Sequence, residues 1–284
     1  MHKYTIMKNK IFLFTAFTIL LFAFASCKSG SDTIQVLSYN IRLSIVDDGD
    51  NHWNLRKKAS IDMINHLQPD IIGLQEPVNE QIAYLLEHLP QYNRVGVARD
   101  DGDTLGEFSA VFYLKDRYDL VDEGTFWLST TPDVPSFGWD AACKRVVTWG
   151  RLQDKKTGTE SYVFNTHFDH VGKVARLESG RLLAEKIQEI SKESARVFLT
   201  GDFNAPIDNP LYEPLKALLL DAREEAPVSD SLTTYHAWGT YDGPPIDHIF
   251  YRGAKIVSFR TITESYGVPY VSDHYPILAV FENK

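Results

Sequence analysis

"VLSYN" (Val36–Asn40), "IIGLQE" (Ile71–Glu76), "YVFNTH" (Tyr162–His167) and "FLTGDFN" (Phe198–Asn204) are apolar runs that end on side chains able to do chemistry. "IDHIF" and "DHYPILAV" begin on such groups, Asp247 with His248 and Asp273 with His274. A single Asn or Asp after a strand is ordinarily a turn residue, and a single His in an apolar strand is ordinarily a hydrogen-bonded core residue. Turn chemistry does not account for the same residue types at six strand termini. Carboxylates and amides together with imidazoles are what a hard cation and an activated water require.

These groups need a scaffold that brings them to one place. "TIQVLSYNIR" reads as a strand by its β-branched content and alternation. "NLRKKASIDMINHL" carries Leu55, Ala59, Met63 and Leu67 at helical spacing, which predicts a helix resting on those four. "DIIGLQE" is a buried strand stopped by Pro77, and "NEQIAYLLEHL" is a second amphipathic helix. Strands follow in "SAVFYL", "YDLVDEGTFWLS", "RVVTWGRLQD" and "SYVFNTHF", the last two joined by the hairpin loop Lys155–Gly158. A helix in "RLESGRLLAEKIQEISK", the strand "RVFLTGDF" and the closing strands "IDHIFYR", "KIVSFRTIT" and "HYPILAVF" complete the chain. No internal repeat and no linker divides it. Mixed strands and helices over this length argue two packed sheets with helices outside. On the extended strand so read, Asn204 stands two residues after Asp202 and points into the same cleft.

The leader is a separate element. "MKNK" and the apolar run Ile11–Ala25 are too short for a membrane span and suit an export signal over residues 1–26. "FASC" resembles the end of a bacterial lipoprotein signal, with Cys27 lipidated, a tether at 27–32, and one catalytic domain over 33–284. The protein is then exported and held at the cell envelope by its lipid anchor, on the periplasmic face or at the outer membrane. Only Cys143 remains besides Cys27, so the mature chain closes no disulfide within itself. Removing the three leader lysines leaves 26 basic residues against 38 acidic ones, a net of −12. No basic stripe of the kind that engages phosphates of nucleic acid is present.

"LSYNIR", "IIGLQE", "FNTHFDH", "LTGDFNAP", "IDHIF" and "SDHYPI", in this order, resemble the motifs of the endonuclease/exonuclease/phosphatase superfamily across residues 37–277. That resemblance implies a deoxyribonuclease-like four-layer α/β/β/α sandwich of two mixed sheets flanked by helices. It implies a Mg²⁺ ion, with Mn²⁺ as substitute, held by Glu76 with Asn40 in support and Asp273 close by. Asp202 matches the aspartate that orients or deprotonates the attacking water, Asn204 a donor to a phosphate oxygen, and Asp247 the partner of His274. Whether Asp202 or His274 takes the proton stays open. His167 matches the histidine that stabilises the pentacovalent phosphate or assists the leaving group. Arg145 is a candidate clamp on the substrate phosphate. Asp169, with His170, either touches substrate or ties its own loop.

Arg176 reads as solvated, and His52, His66, His88 and His236 fall in no motif. Arg42 stands where abasic endonucleases of the superfamily carry an aspartate. The leading reading is a metal-dependent phosphoesterase acting on a small-molecule or lipid-headgroup phosphoester by in-line attack of water. An envelope nuclease and an inactive binding scaffold are the alternatives. The loops Val46–Trp53, Asp100–Glu107, Thr130–Asp140 and Tyr235–Pro245, with Trp53, Trp139, Trp238 and Tyr241, are expected to set the substrate.

Overall fold

The computed structural model describes residues 33–283. The leader (1–26) and the Cys27 tether (27–32) lie outside the described residues.

The first half of the chain gives β1 (Thr33–Asn40), α1 (Trp53–Leu67), β2 (Ile71–Gln75), α2 (Asn79–His88), β3 (Tyr92–Val95) and β4 (Ser109–Leu114). The middle gives β5 (Tyr118–Trp127), β6 (Val146–Asp154), β7 (Glu160–His167), α3 (Lys173–Ile190) and β8 (Arg196–Asp202). Then come α4 (Glu213–Lys216), β9 (Leu220–Asp221), α5 (Ala222–Glu225), β10 (Asp247–Arg252), β11 (Ile256–Thr261) and β12 (Ile277–Glu282). The strands form two six-stranded mixed sheets, ordered β11-β12-β1-β2-β4-β3 and β5-β6-β7-β8-β10-β9. The expected two sheets with helices outside is the architecture found.

Alternation along each strand sorts residues between layers. Leu37 and Tyr39 of β1 and Ile41 just beyond it share an apolar cluster with Ala59, Met63 and Ile64 of α1 and Ile82 and Leu85 of α2. The other face of β1, Ile34 and Val36, joins Val163, Phe198 and Ile249 in the core between the sheets. Outside the second sheet, Val147, Phe164, Val197 and Leu199 pack against Leu183, Ala184 and Ile187 of α3.

The packing of α1 corrects one sequence expectation. Leu55 is 61% exposed rather than in the core, because α1 turns Arg56 inward instead. The four-residue strand β3 lies in a stretch whose periodicity gives no sign of it.

The core between the sheets turns polar toward one end. Gln75 Nε2 donates to Asn165 Oδ1 at 2.6 Å and to Ser38 Oγ at 3.1 Å, and Thr200 Oγ1 donates to Asn165 Oδ1 at 2.9 Å. Asn165 Nδ2 crosses to the first sheet, donating to the carbonyls of Leu74 and Ala110. Gly73 permits this approach: a Cβ there would collide with Thr200 Oγ1 and come within 2.6 Å of Asn165 Oδ1. Gly73→Ala is therefore expected to lower stability by about 1–3 kcal/mol, read as a lower urea midpoint with an unchanged denaturant slope.

Candidate active site

Strand pairing brings the polar tips to one rim. β1 and β2 run parallel with Asn40 opposite Gln75, so both finish at the same edge and Glu76 follows at once. β12 is antiparallel to β1 with Ser38 opposite Ile277, which leaves Asp273 and His274 beyond that edge. In the second sheet β7 and β8 run parallel with His167 opposite Asp202, and β10 returns antiparallel with Asp247 opposite Asp202. Parity then sets direction. Asn40 shares a face with Ile34 and Val36, His167 with Val163, Asp202 with Phe198 and Asp247 with Ile249. Those apolar partners line the space between the sheets, so the polar tips gather where that space meets the surface.

Hydrogen bonds link them. Glu76 accepts from Asn40 Nδ2 at 2.9 Å and from the Leu43 backbone N–H at 3.0 Å. The same amide nitrogen of Asn40 donates to Asp202 Oδ2 at 3.0 Å, while Asn40 Oδ1 accepts from Arg42 N. Asn40 thus orients two carboxylates. His274 Nδ1 lies 2.8 Å from Asp247 Oδ2, and its Nε2 lies 3.7 Å from Asp202 Oδ2. On the other side of Asp202, His167 Nε2 stands 3.5 Å from Oδ2 and accepts from Asn204 Nδ2 at 3.1 Å.

The two imidazoles sit in opposite electrostatic settings. Burial, then the charge of Arg145, holds His167 well below its usual value. Burial also opposes charge on His274, but Asp247 and Asp202 outweigh it and raise that imidazole. Burial, reinforced by Asp247, raises Asp202. A neutral and a charged imidazole therefore flank one carboxylate, the kind of divergence that proton transfer uses.

Asp202, Asp247 and His274 offer ligand atoms within 4.8 Å of one another. Asp273 is raised by burial, and the nearby negative charge of Glu76 adds to that. Mutually repelling carboxylates in a buried, sulfur-free, oxygen-rich opening fit a hard divalent ion.

A sequence model of the endonuclease/exonuclease/phosphatase family matches residues 37–274. The chain belongs to that family. Family members are hydrolases acting on phosphoesters. The solved structure of an endonuclease/exonuclease/phosphatase from Bacteroides vulgatus is 38% identical, with TM-score 0.84 over 89% of this chain and 99% of its own. A mannosyl-6-phosphatase of Bacteroides thetaiotaomicron is 36% identical, with TM-score 0.82 over 87% of this chain and 98% of its own. An uncharacterized protein of Acanthamoeba polyphaga mimivirus is 27% identical over 254 residues, 81% of this chain and 92% of the relative.

Two residues, Asn204 and Arg145, stand differently from the sequence expectation, and Asp169 takes one of the two roles left open to it. Asn204 does not continue an extended strand. β8 ends at Asp202, Phe203 enters the core, and Asn204 takes a left-handed φ of 51°. Its N–H donates to Asp202 Oδ1 at 2.9 Å, so a tight Asx turn, rather than strand alternation, aims both groups at one pocket.

Asp169 is spent on its own loops. Oδ1 accepts from the N–H groups of Val171 and Gly172, and Oδ2 from those of Ala142 and Cys143. Of the two roles open to it, loop anchoring is the one the structure displays. Burial opposes its charge, but these N–H groups hold its pKa down to about 2. A depressed carboxyl pKa stabilises the fold above the unfolded value near 3.9, and that contribution is lost as pH falls toward 2. Asp169→Asn should therefore show a shallower loss of stability between about pH 4 and 2, followed by circular dichroism.

Arg145 is not an open guanidinium. It is buried, donates to His170 Nδ1 at 3.1 Å, and sits 3.5 Å from Asp169 and 3.9 Å from Glu107. Its geometry is that of a fixed positive charge behind His167.

Sequence motifs give no hint of Glu107 or Arg56. Glu107 accepts from Arg99 at 2.7 Å and lies 3.8 Å from His167 Nδ1. Burial raises its pKa to about 7 against the pull of Arg99. Arg56 is 1% exposed and donates to the carbonyls of Ile41, Arg42, Asn51 and Val271, with Trp53 and Trp238 on its guanidinium at 5.1 and 5.5 Å. It ties the segment after Asn40 to the one before Asp273. Arg56→Met strands several buried carbonyls and is expected to cost about 3 kcal/mol or more, read in urea unfolding.

The loop aromatics divide. Trp53 is buried in the fold, while Tyr241 is 49% exposed and Trp139 38%. Tyr235 lies against His274 at 4.9 Å and against Tyr241 at 5.5 Å, forming an aromatic wall beside the rim. His236 is a structural residue, its ring packed at a tilt of 35° against Tyr275 at 4.0 Å and against Tyr270 at 4.5 Å. Arg176 donates to the Asp169 carbonyl, and Arg42 pairs with Asp48 at 3.0 Å, 3.8 Å from Asp273.

Proposed function

We propose that the protein is a divalent-metal-dependent phosphoesterase, using Mg²⁺ or Mn²⁺, that releases phosphate from a small phosphomonoester, a sugar phosphate foremost. One arrangement carries the reading: the Asp247–His274 pair and His167 face Asp202 from two sides, with Asn40 tying Asp202 to Glu76. The 36% identical mannosyl-6-phosphatase supports the substrate class. So does the Tyr235–Tyr241 wall, since an aromatic face packs well on a sugar ring. The net acidic chain speaks against a duplex nucleic acid.

Glu76, with Asp273 close by, would hold the ion, and Asn40 would fix the carboxylate's orientation. The bound ion would neutralise phosphate charge and lower the pKa of water. Asp202, its pKa raised, would orient the attacking water and receive its proton, with the charged His274 imidazole facing that carboxylate across 3.7 Å. The His274–Asp247 bond keeps the imidazole charged and aimed at Asp202. Asn204 Nδ2, bonded to the His167 ring nitrogen, would turn its N–H to a phosphoryl oxygen as charge spreads over that group, with neutral His167 holding the amide in position.

The leader sequence and Cys27 support an activity outside the cytoplasm, on a lipid anchor. Cys27→Ser should then release the protein from the membrane fraction. For the activity, a panel of sugar phosphates, phosphocholine-type esters, a synthetic diester and DNA and RNA oligonucleotides is assayed with Mg²⁺ and with EDTA. Metal-dependent release of phosphate from a sugar phosphate supports the reading. Cleavage confined to oligonucleotides replaces it with a nuclease, and no hydrolysis of any ester, with Mg²⁺ or Mn²⁺, points to a scaffold.

A further inference from the structure

A second set of donors converges beside the rim and has no part in the hydrolysis. Cys143, Asp169 and His170 offer ligand atoms that all lie within 4.8 Å of one another. Cys143 is a free, partly exposed thiol and His170 is exposed, so an ion reaches both from solvent. The four N–H bonds to Asp169 come from both loops, two from Ala142 and Cys143 and two from Val171 and Gly172. They hold the thiol and the imidazole near each other before any ion arrives. The Asp169 charge, retained down to about pH 2, faces the same spot.

The donor chemistry differs from that of the pocket. Thiolate and imidazole suit zinc, whereas Mg²⁺ asks for oxygen alone. A Zn–S bond of about 2.3 Å and a Zn–N bond of about 2.1 Å in tetrahedral geometry separate sulfur from nitrogen by about 3.6 Å. The span of the cluster accommodates that spacing.

His170 also connects the cluster to the pocket. Arg145 always donates, so His170 Nδ1 accepts its hydrogen bond and the ring proton sits on Nε2. An ion on Nδ1 takes the lone pair that Arg145 uses. An ion on Nε2 moves the proton to Nδ1, where it opposes the guanidinium. Either way, coordination and the Arg145 bond exclude one another.

We infer that the Cys143 thiolate and the His170 imidazole, with the Asp169 charge held behind them by its four N–H bonds, form a binding site for a thiolate-binding ion, zinc foremost, and that filling it frees Arg145 from His170 and slows turnover. The effect on turnover rests on the phosphoesterase reading, whereas binding does not.

Co²⁺ added to the full-length protein in saturating Mg²⁺ reports on binding. A thiolate-to-cobalt absorption band is expected, lost in Cys143→Ser, which retains Cys27, and much weakened in His170→Ala. The absence of such a band, or a band of full strength in His170→Ala, overturns the site. Zn²⁺ in saturating Mg²⁺ should cut phosphate release several-fold in the parent protein and little in Cys143→Ser. Equal inhibition of both overturns the coupling. A protein that hydrolyses nothing leaves the optical result standing, so the two failures are told apart.

Discussion

Asp202→Asn is expected to lower kcat about 1000-fold with KM little changed. The amide retains the size of the carboxylate and one oxygen, enough for the Asn204 N–H that Oδ1 accepts but not also for the Asn40 donor on Oδ2, so the Asx turn survives, but the side chain takes up no proton. Asp202 is also one of the two carboxylates that most raise the His274 imidazole. Its removal therefore moves the His274 titration to lower pH, visible by NMR in the metal-free protein. His274→Ala should cost a comparable factor. The double variant should fall little below the worse single variant if, as proposed, the two residues act as one unit on the attacking water. Fully additive losses would show that they act in separate steps.

Glu76→Gln should abolish turnover at ordinary Mg²⁺ concentration and raise the Mn²⁺ required for half-activity by about 100-fold or more. Glu76 holds a left-handed φ of 71° just before Pro77. Proline bars its predecessor from the right-handed helical region, and the strained residue persists only because its surroundings fix it. Asn40 and the Leu43 N–H bind its two carboxylate oxygens. The amide that replaces this carboxylate would present one oxygen and no charge to the ion. EDTA treatment of the parent protein should reproduce the loss, and added Mn²⁺ should reverse it. If Glu76→Gln titrates with Mn²⁺ like the parent, the ion is held elsewhere.

What the sequence announces and what it conceals have physical reasons. Asn40, Glu76, His167, Asp202, Asp247, Asp273 and His274 can be picked out because each interrupts an apolar run at its end. Pairing rules then bring such ends together wherever neighbouring strands share an edge. Asn204 is legible by residue type but not by geometry, since a turn and a strand can carry the same "DFN" and only backbone φ separates them. Glu107 lies in a loop, where no periodicity marks an inward-facing carboxylate, and its partners Arg99, Arg145 and His167 are scattered along the chain. Arg56 is concealed by its charge. A helix reading based on apolar spacing chooses Leu55 for the core, yet four backbone carbonyls make the interior hospitable to the guanidinium next to it. The buried layer of Ser38, Gln75, Asn165 and Thr200 cannot be read from either sheet alone, because its bonds cross between them.

Crystals of the protein grown with Mn²⁺, with diffraction recorded at the manganese edge, put the metal-binding pocket to a direct test. The strongest anomalous peak should lie at the shared rim of the two sheets, bonded to the Glu76 carboxylate. A map with no peak at that rim, or with its strongest peak far from Glu76, would contradict the assignment of the pocket as a metal-assisted hydrolytic site.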